Sequence, residues 1–232
     1  MKFNLKNLLM TNRLRERAPI NLVNAADEAT IYIYDIIDAD YGVGAKDVIG
    51  AISSLKDAKV LNIRINSPGG DVFEGRAIME AIKRFDGKTV AHIDSLAASA
   101  ATSIALAADE VVMSDGALFM IHNASGLVWG DKNDMRQTAD LLEKVEGSIV
   151  NDYTAKTGME DTTIVAMMNA ETWMTADEAL ANKFVDRVVK TGKAKNTWNL
   201  SAFDKAPQVE ELPEPDGTTQ TNTNKLTLAN LF

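Results

Sequence analysis

Apolar positions follow two different periods along the chain. Ala29 to Ile37 (ATIYIYDII) is rich in β-branched and aromatic residues and predicts a strand. Val48, Ile49, Ile52 and Leu55 recur at helical spacing and predict a helix over 45–57. Val60–Asn66 predicts a second strand, which runs straight into Ser67-Pro68-Gly69-Gly70. Phe73–Phe85 predicts an amphipathic helix with Ala77, Ile78, Ala81, Ile82 and Phe85 on one face. Thr89–Ile93 predicts a third strand, and the small apolar stretch Ser99–Ala108 a buried helix. Val111–Met113 and Leu118–His122 predict short strands. Asp131–Thr157 predicts a long helix with Leu141, Leu142, Val145, Ile149 and Tyr153 as its core face. A short helix over 161–168 and another from Asp177 close the body.

Strands alternating with helices predict βαβ units and a mainly parallel sheet. The pattern stops near Lys190. Beyond it come Pro207, Pro213 and Pro215 and a Thr/Asn/Gln-rich run, which predict a disordered polar tail over 191–232. Its last residues, Asn224–Phe232 (NKLTLANLF), form a short apolar motif. Residues 1–20 carry five basic residues against Glu16 and are set apart as a basic N-terminal segment. The folded domain is therefore placed at 21–190.

Composition narrows the chemistry. With no cysteine among 232 residues, a disulfide scaffold, a thiolate zinc site and a thiol nucleophile are excluded. Only two histidines exist, His92 and His122. A net charge of -9 argues against nucleic-acid binding, which needs clustered Lys and Arg. No stretch reaches the roughly 18 apolar residues of a membrane span, and no secretion signal is evident, so a cytoplasmic protein is expected. No phosphate-binding G-x-x-x-x-G-K-[ST] loop occurs, so any ATPase would be a separate protein.

Three segments could carry a reaction. The Gly69-Gly70 pair, between a strand and a helix, can turn backbone N–H groups toward a ligand. Ser99 falls at a strand-to-helix junction, where a hydroxyl is presented beside the amide of the next residue. His122 ends a strand and can serve as a general base, whereas His92 fits the alternation of its own strand. A serine nucleophile needs an imidazole to take its proton and a carboxylate to orient that imidazole. Carboxylates are plentiful, and spacing alone does not choose one.

Together, Ile65–Gly70 (INSPGG), Ala97–Ala100 (AASA), Met120–Asn123 (MIHN), Thr172–Ala179 (TWMTADEA) and Phe184-Val185-Asp186 resemble the Clp protease proteolytic subunit family in order and spacing. The resemblance runs from about residue 29 to 189. It implies a crotonase-like (ClpP-type) α/β fold, a repeated ββα superhelix with mainly parallel sheets and a protruding handle helix at Asp131–Thr157. It implies Ser99 as nucleophile, His122 as base, and the N–H groups of Gly70 and Ala100 as the oxyanion hole. The backbone of Gly69, Gly70 and Asp71 would border the substrate. No cofactor and no metal are implied. The family's Asp falls on Glu171 here, with Asp161 and Asp177 as nearby alternatives, and Lys183 stands where the family usually has Gly.

The implied function is a serine endopeptidase working inside a ring-shaped homo-oligomer. The divergent sequence and long polar tail are similar to Clp-like proteases of phage and prophage head-assembly regions, which implies capsid or scaffold proteins as substrates. The alternatives are a host-type subunit fed unfolded proteins by a separate ATPase, a non-catalytic ring component, an acyl-CoA hydratase or isomerase on the same fold, and a Ser–Lys dyad peptidase.

Overall fold

A computed structural model describes residues 22–25, 27–55, 57–191 and 198–207. Residues 1–20 and the Asn224–Phe232 motif lie outside the described residues. The strands are β1 (Leu22–Ala25), β2 (Glu28–Ile33), β3 (Val60–Ser67), β4 (Lys88–Ala98), β5 (Glu110–Ser114), β6 (Leu118–Ile121), β7 (Thr172–Thr175) and β8 (Arg187–Val189). The helices are α1 (Ala45–Ser53), α2 (Val72–Lys83), α3 (Ala100–Leu106), α4 (Lys132–Thr157), α5 (Asp161–Asn169) and α6 (Ala176–Ala181).

The sheet runs β1-β2-β3-β4-β5-β8, and β6 pairs with both β4 and β7. Among the described residues, only the β1–β2 and β6–β7 pairs are antiparallel. Alternation explains why β2 and β3 sit inside: Ala29, Ile31, Ile33, Leu61, Ile63 and Ile65 are each fully buried. Helices α2, α3 and the end of α4 cover that face, with Ile78, Ile82, Ala101, Ile104, Ile149 and Tyr153 in the same core.

Strand β4 is longer than the pattern predicts, because Ser95 to Ala98 continue it. The extension matters for position. Residues Val90–Ile93 pair with β5, whereas Leu96, Ala97 and Ala98 pair with β6. The β3–β4 register shifts between Ile65 and Ser67, which brings Ser67 opposite Ala97. One strand thus serves the main sheet and then delivers its end to the β6–β7 pair.

Two expectations are corrected. The core face of α4 is real only toward its C-terminus: Ile149, Val150 and Tyr153 are buried, while Leu141 is 52% exposed. Within the expected disordered tail, residues 198–207 are packed, while 192–197 and 208–232 lie outside the described residues. Trp198, Leu200, Ala202 and Phe203 are buried against Ile36, Leu96, Ala98 and Met120 in a second apolar cluster. Pro and polar residues dominate the segment's composition, but three large apolar side chains closely spaced within it find an apolar sheet face to cover.

Candidate active site

Ser99 is the single residue between β4 and α3, with φ 55 and ψ -127. A side chain in this region strains the backbone by about 1–3 kcal/mol, so surrounding contacts must hold it there. Ser99 N–H donates to the Met120 carbonyl at 2.9 Å. The Ser99 carbonyl accepts from the Thr102 N–H at 2.9 Å and from Thr102 Oγ1 at 2.6 Å. With that proton committed, Tyr153 of α4 donates its own hydroxyl to Thr102 Oγ1, at 2.6 Å. The sharp turn leaves Ala100 N–H as the first amide of α3, a position with no acceptor within the helix.

The glycine pair is required by the same turn. Gly69 has φ +88, and a Cβ there would lie 2.5 Å from the Ala98 carbonyl oxygen, 2.7 Å from Ser99 Cβ and 3.0 Å from Ala100 N. Gly70 has φ +151, and its Cβ would lie 2.1 Å from the Ile37 carbonyl oxygen. Ile37 N–H donates to the Gly69 carbonyl at 2.9 Å and Asp71 N–H to the Ile37 carbonyl at 2.7 Å. The Gly70 N–H takes part in neither bond. Asp71, the third residue of the expected substrate edge, has its groups committed elsewhere: its N–H to Ile37, its carbonyl to the Gly75 N–H, and its carboxylate to the Phe73 and Glu74 amides in the first turn of α2.

His122 follows β6, two residues beyond the Met120 that pairs with Ala98. This parallel register brings Nε2 to 2.8 Å from Ser99 Oγ. Burial pushes the imidazole pKa down to about 4, against the opposing pull of the Glu171 charge. The ring is therefore neutral at pH 7. Protonated on Nδ1, it leaves Nε2 to accept the serine proton.

The β6–β7 ladder closes with the Ile121–Thr172 pair, so His122 follows it on one strand and Glu171 precedes it on the other. Glu171 is held at φ 49. Its Oε1 accepts from Trp173 Nε1 at 3.1 Å and from Lys205 N–H at 2.7 Å, and its Oε2 accepts from Asp204 N–H at 3.1 Å. The alternative carboxylates lie elsewhere: Asp161 and Asp177 are exposed in the first turns of α5 and α6. His92 sits on β4 with Nε2 2.9 Å from Asn62 Oδ1, a structural pairing.

Sequence reasoning missed Phe203, whose ring meets His122 edge-on at 5.7 Å and Trp173 at 5.5 Å. The signal was the spacing of Trp198, Leu200 and Phe203 inside an otherwise polar run. A small cleft beside Ser99 and His122 is lined by Val72, Gly75, Arg76, Ala100, Ser103 and Tyr153. Among the described residues, no three His, Asp or Glu side chains gather as metal ligands, and no helix is long and apolar enough to cross a membrane.

A family model described as Clp protease matches residues 15–192. The chain belongs to the Clp protease family. It is 29% identical over 172 residues to the ATP-dependent Clp protease proteolytic subunit 1 of Protochlamydia amoebophila, a match covering 71% of this chain and 82% of that protein. The same-named protein of Chlamydia abortus is 34% identical over 119 residues, covering 50% of this chain and 62% of that protein. The fold matches a point mutant of ClpP1 from Listeria monocytogenes with a TM-score of 0.63 at 23% identity, covering 70% of this chain and 91% of that one. The ClpP-type fold is thereby established, and membership of the Clp protease family makes the chain a serine peptidase. Lys183, at the family's usual Gly position, adopts the left-handed conformation that Gly favours, with φ 61.

Proposed function

We propose that this Clp protease family member is an endopeptidase whose nucleophile is Ser99, with His122 as general base and Glu171 as the carboxylate that orients it. The observation that carries the reading is the 2.8 Å contact between His122 Nε2 and Ser99 Oγ at a strained strand-to-helix turn. Ser99 Oγ attacks the scissile carbonyl carbon as its proton passes to His122 Nε2. The Gly70 and Ala100 N–H groups receive the oxyanion. His122 then protonates the leaving amine, and water releases the acyl group from Ser99 with His122 again acting first as base and then as acid.

The substrate backbone runs along the Gly69–Gly70 edge as an added strand. The active form is a ring of identical subunits. Leu127, Trp129, Met135 and Leu141, on the loop before α4 and its first half, are each more than half exposed in the single subunit, and a second copy covers them. The proposed substrates are capsid or scaffold proteins, a reading that rests on the divergent sequence and its long tail. A host-type role, degrading unfolded proteins fed by a separate ATPase, is favoured instead by the names of the relatives.

Turnover of a short peptide by purified Ser99→Ala protein tests the reading. Loss of cleavage with the fold retained supports it, and undiminished turnover refutes it. Cleavage of a folded capsid or scaffold protein without any ATPase separates the first substrate role from the second.

A further inference from the structure

The region 198–207 lies outside the βαβ body, yet it reaches the catalytic residues. We propose that this strap is a positioning element for the active site, with Phe203 seating the His122 imidazole and the Asp204 and Lys205 amides holding the Glu171 carboxylate. The inference rests on the reading of Ser99, His122 and Glu171 given above.

Three sets of contacts support it. First, the strap is anchored away from the reacting atoms. Trp198 donates its indole N–H to Asn66 Oδ1 at 3.0 Å, and Trp198, Leu200 and Ala202 are buried on the face formed by Ile36, Leu96, Ala98 and Met120. Leu96, Ala98 and Met120 belong to β4 and β6, the strands that carry Ser99 and His122 at their ends. Second, Phe203 is 5% exposed and fills the angle between His122 and Trp173, meeting both rings edge-on. A ring so placed bars water from one side of the imidazole and limits its rotation. Third, the strap supplies two of three described donors to Glu171. A carboxylate offers about four lone-pair sites. Trp173 and Lys205 fill those of Oε1, and Asp204 fills one on Oε2. One site on Oε2 remains, which in this proposal takes the imidazole N–H. Lys205 Nζ also donates to the Ala170 carbonyl, tying the strap to the residue before Glu171.

The contacts have one chemical consequence. Glu171 is in a left-handed conformation that a non-glycine residue does not favour. Without the strap its carboxylate keeps only the Trp173 donor and is free to turn. Without Phe203 the His122 ring is opened to water, so its pKa rises from about 4 toward the ordinary value.

The test uses the full chain carrying Phe203→Ala or Phe203→Leu, with cleavage of one short peptide followed across pH 4–9. The expected result for Phe203→Ala is a kcat lower by about 10- to 100-fold with KM within about twofold, as for a misplaced catalytic group. The acid limb of kcat/KM moves upward in pH, which a general loss of stability would not cause. Phe203→Leu keeps most of the apolar volume and is expected to lie between wild type and Phe203→Ala. If Phe203→Ala misfolds, Phe203→Leu decides the question by the same two readouts. Wild-type kcat and an unmoved acid limb in a folded variant would overturn the proposal, as would a rise in KM alone, which would make the strap a substrate contact. Phosphonate labelling of Ser99 in the same preparations keeps the two readings apart. Unlabelled Ser99 in the wild-type protein overturns the nucleophile assignment, whereas labelled wild type with an indifferent Phe203 overturns only the strap.

Discussion

His122 directly follows Ile121 and Glu171 directly precedes Thr172, the pair that closes the antiparallel β6–β7 ladder. The ladder brings the two segments that carry them together. The Glu171 charge pulls on His122 against the effect of burial. Glu171→Gln keeps the shape but offers an amide that can favour the wrong imidazole tautomer. We expect a kcat loss of about 10²- to 10⁴-fold, with Asp161→Asn close to wild type in the same peptide assay. The reverse pattern would reassign the third residue.

The low His122 pKa predicts an unusual acid limb. The imidazole must be neutral to accept the Ser99 proton, and burial holds its pKa at about 4. Cleavage of a short peptide should therefore hold down to about pH 6.5, where an exposed histidine would already be half protonated. A kcat/KM profile falling with a midpoint of about 6.5 would show that the ring is not buried in the working enzyme.

The same group links stability to pH. The unfolded chain protonates His122 below about 6.5 and the folded protein only at about 4, so between these values the unfolded state binds more protons. The contribution is fully present above about pH 6.5 and is lost as pH falls toward 4, amounting to about 3 kcal/mol. Denaturant titrations at about pH 7 and about pH 4.5 should show a smaller drop for His122→Gln than for wild type. Equal drops would remove His122 from the pH response.

Gly69→Ala places a methyl group 2.5 Å from the Ala98 carbonyl oxygen and 2.7 Å from Ser99 Cβ, at a φ of +88. The Ala98 carbonyl and the Ala100 N at 3.0 Å are backbone, and Ser99 Cβ is bonded directly to backbone, so no flexible side-chain end is there to yield. Peptide cleavage should fall by about 10²-fold or more, because the Ser99 turn and the neighbouring amides must shift together. Retained activity would mean that the turn is more compliant than its contacts imply.

Leu141→Asp and Trp129→Ser alter residues that are 52% and 99% exposed in one subunit. If a second copy covers them, light scattering should show the assembly shifting toward smaller species, with the subunit's fold unchanged. A wild-type protein that is active as a 25.2 kDa monomer would refute the ring.

Much of this arrangement is legible in the chain itself. Helices α1, α2, α4 and α5 and strands β2, β3, β5 and β6 follow from the pattern of apolar residues, whereas junction positions alone leave Ser99 and His122 open and the family resemblance singles them out. The strands β1, β7 and β8 are hidden because LVNA, TWMT and RVV mix polar with apolar residues over too few positions, whereas β6 (LFMI) is wholly apolar. The extent of β4 is hidden because Leu96, Ala97 and Ala98 are apolar without a period, and only pairing with β6 makes them a strand. The strap is hidden by composition: polar residues and prolines around Trp198, Leu200 and Phe203 mask three side chains whose partners lie far back in the chain.

The central claim is that Ser99 is made nucleophilic by His122. Its most direct test is reaction of the purified protein with a serine-directed phosphonate, followed by mass-spectrometric mapping of the adduct. The account predicts one adduct, on Ser99, that is lost when His122 is replaced by alanine. An adduct on a different serine, or labelling of Ser99 that proceeds undiminished in the His122→Ala protein, would contradict it.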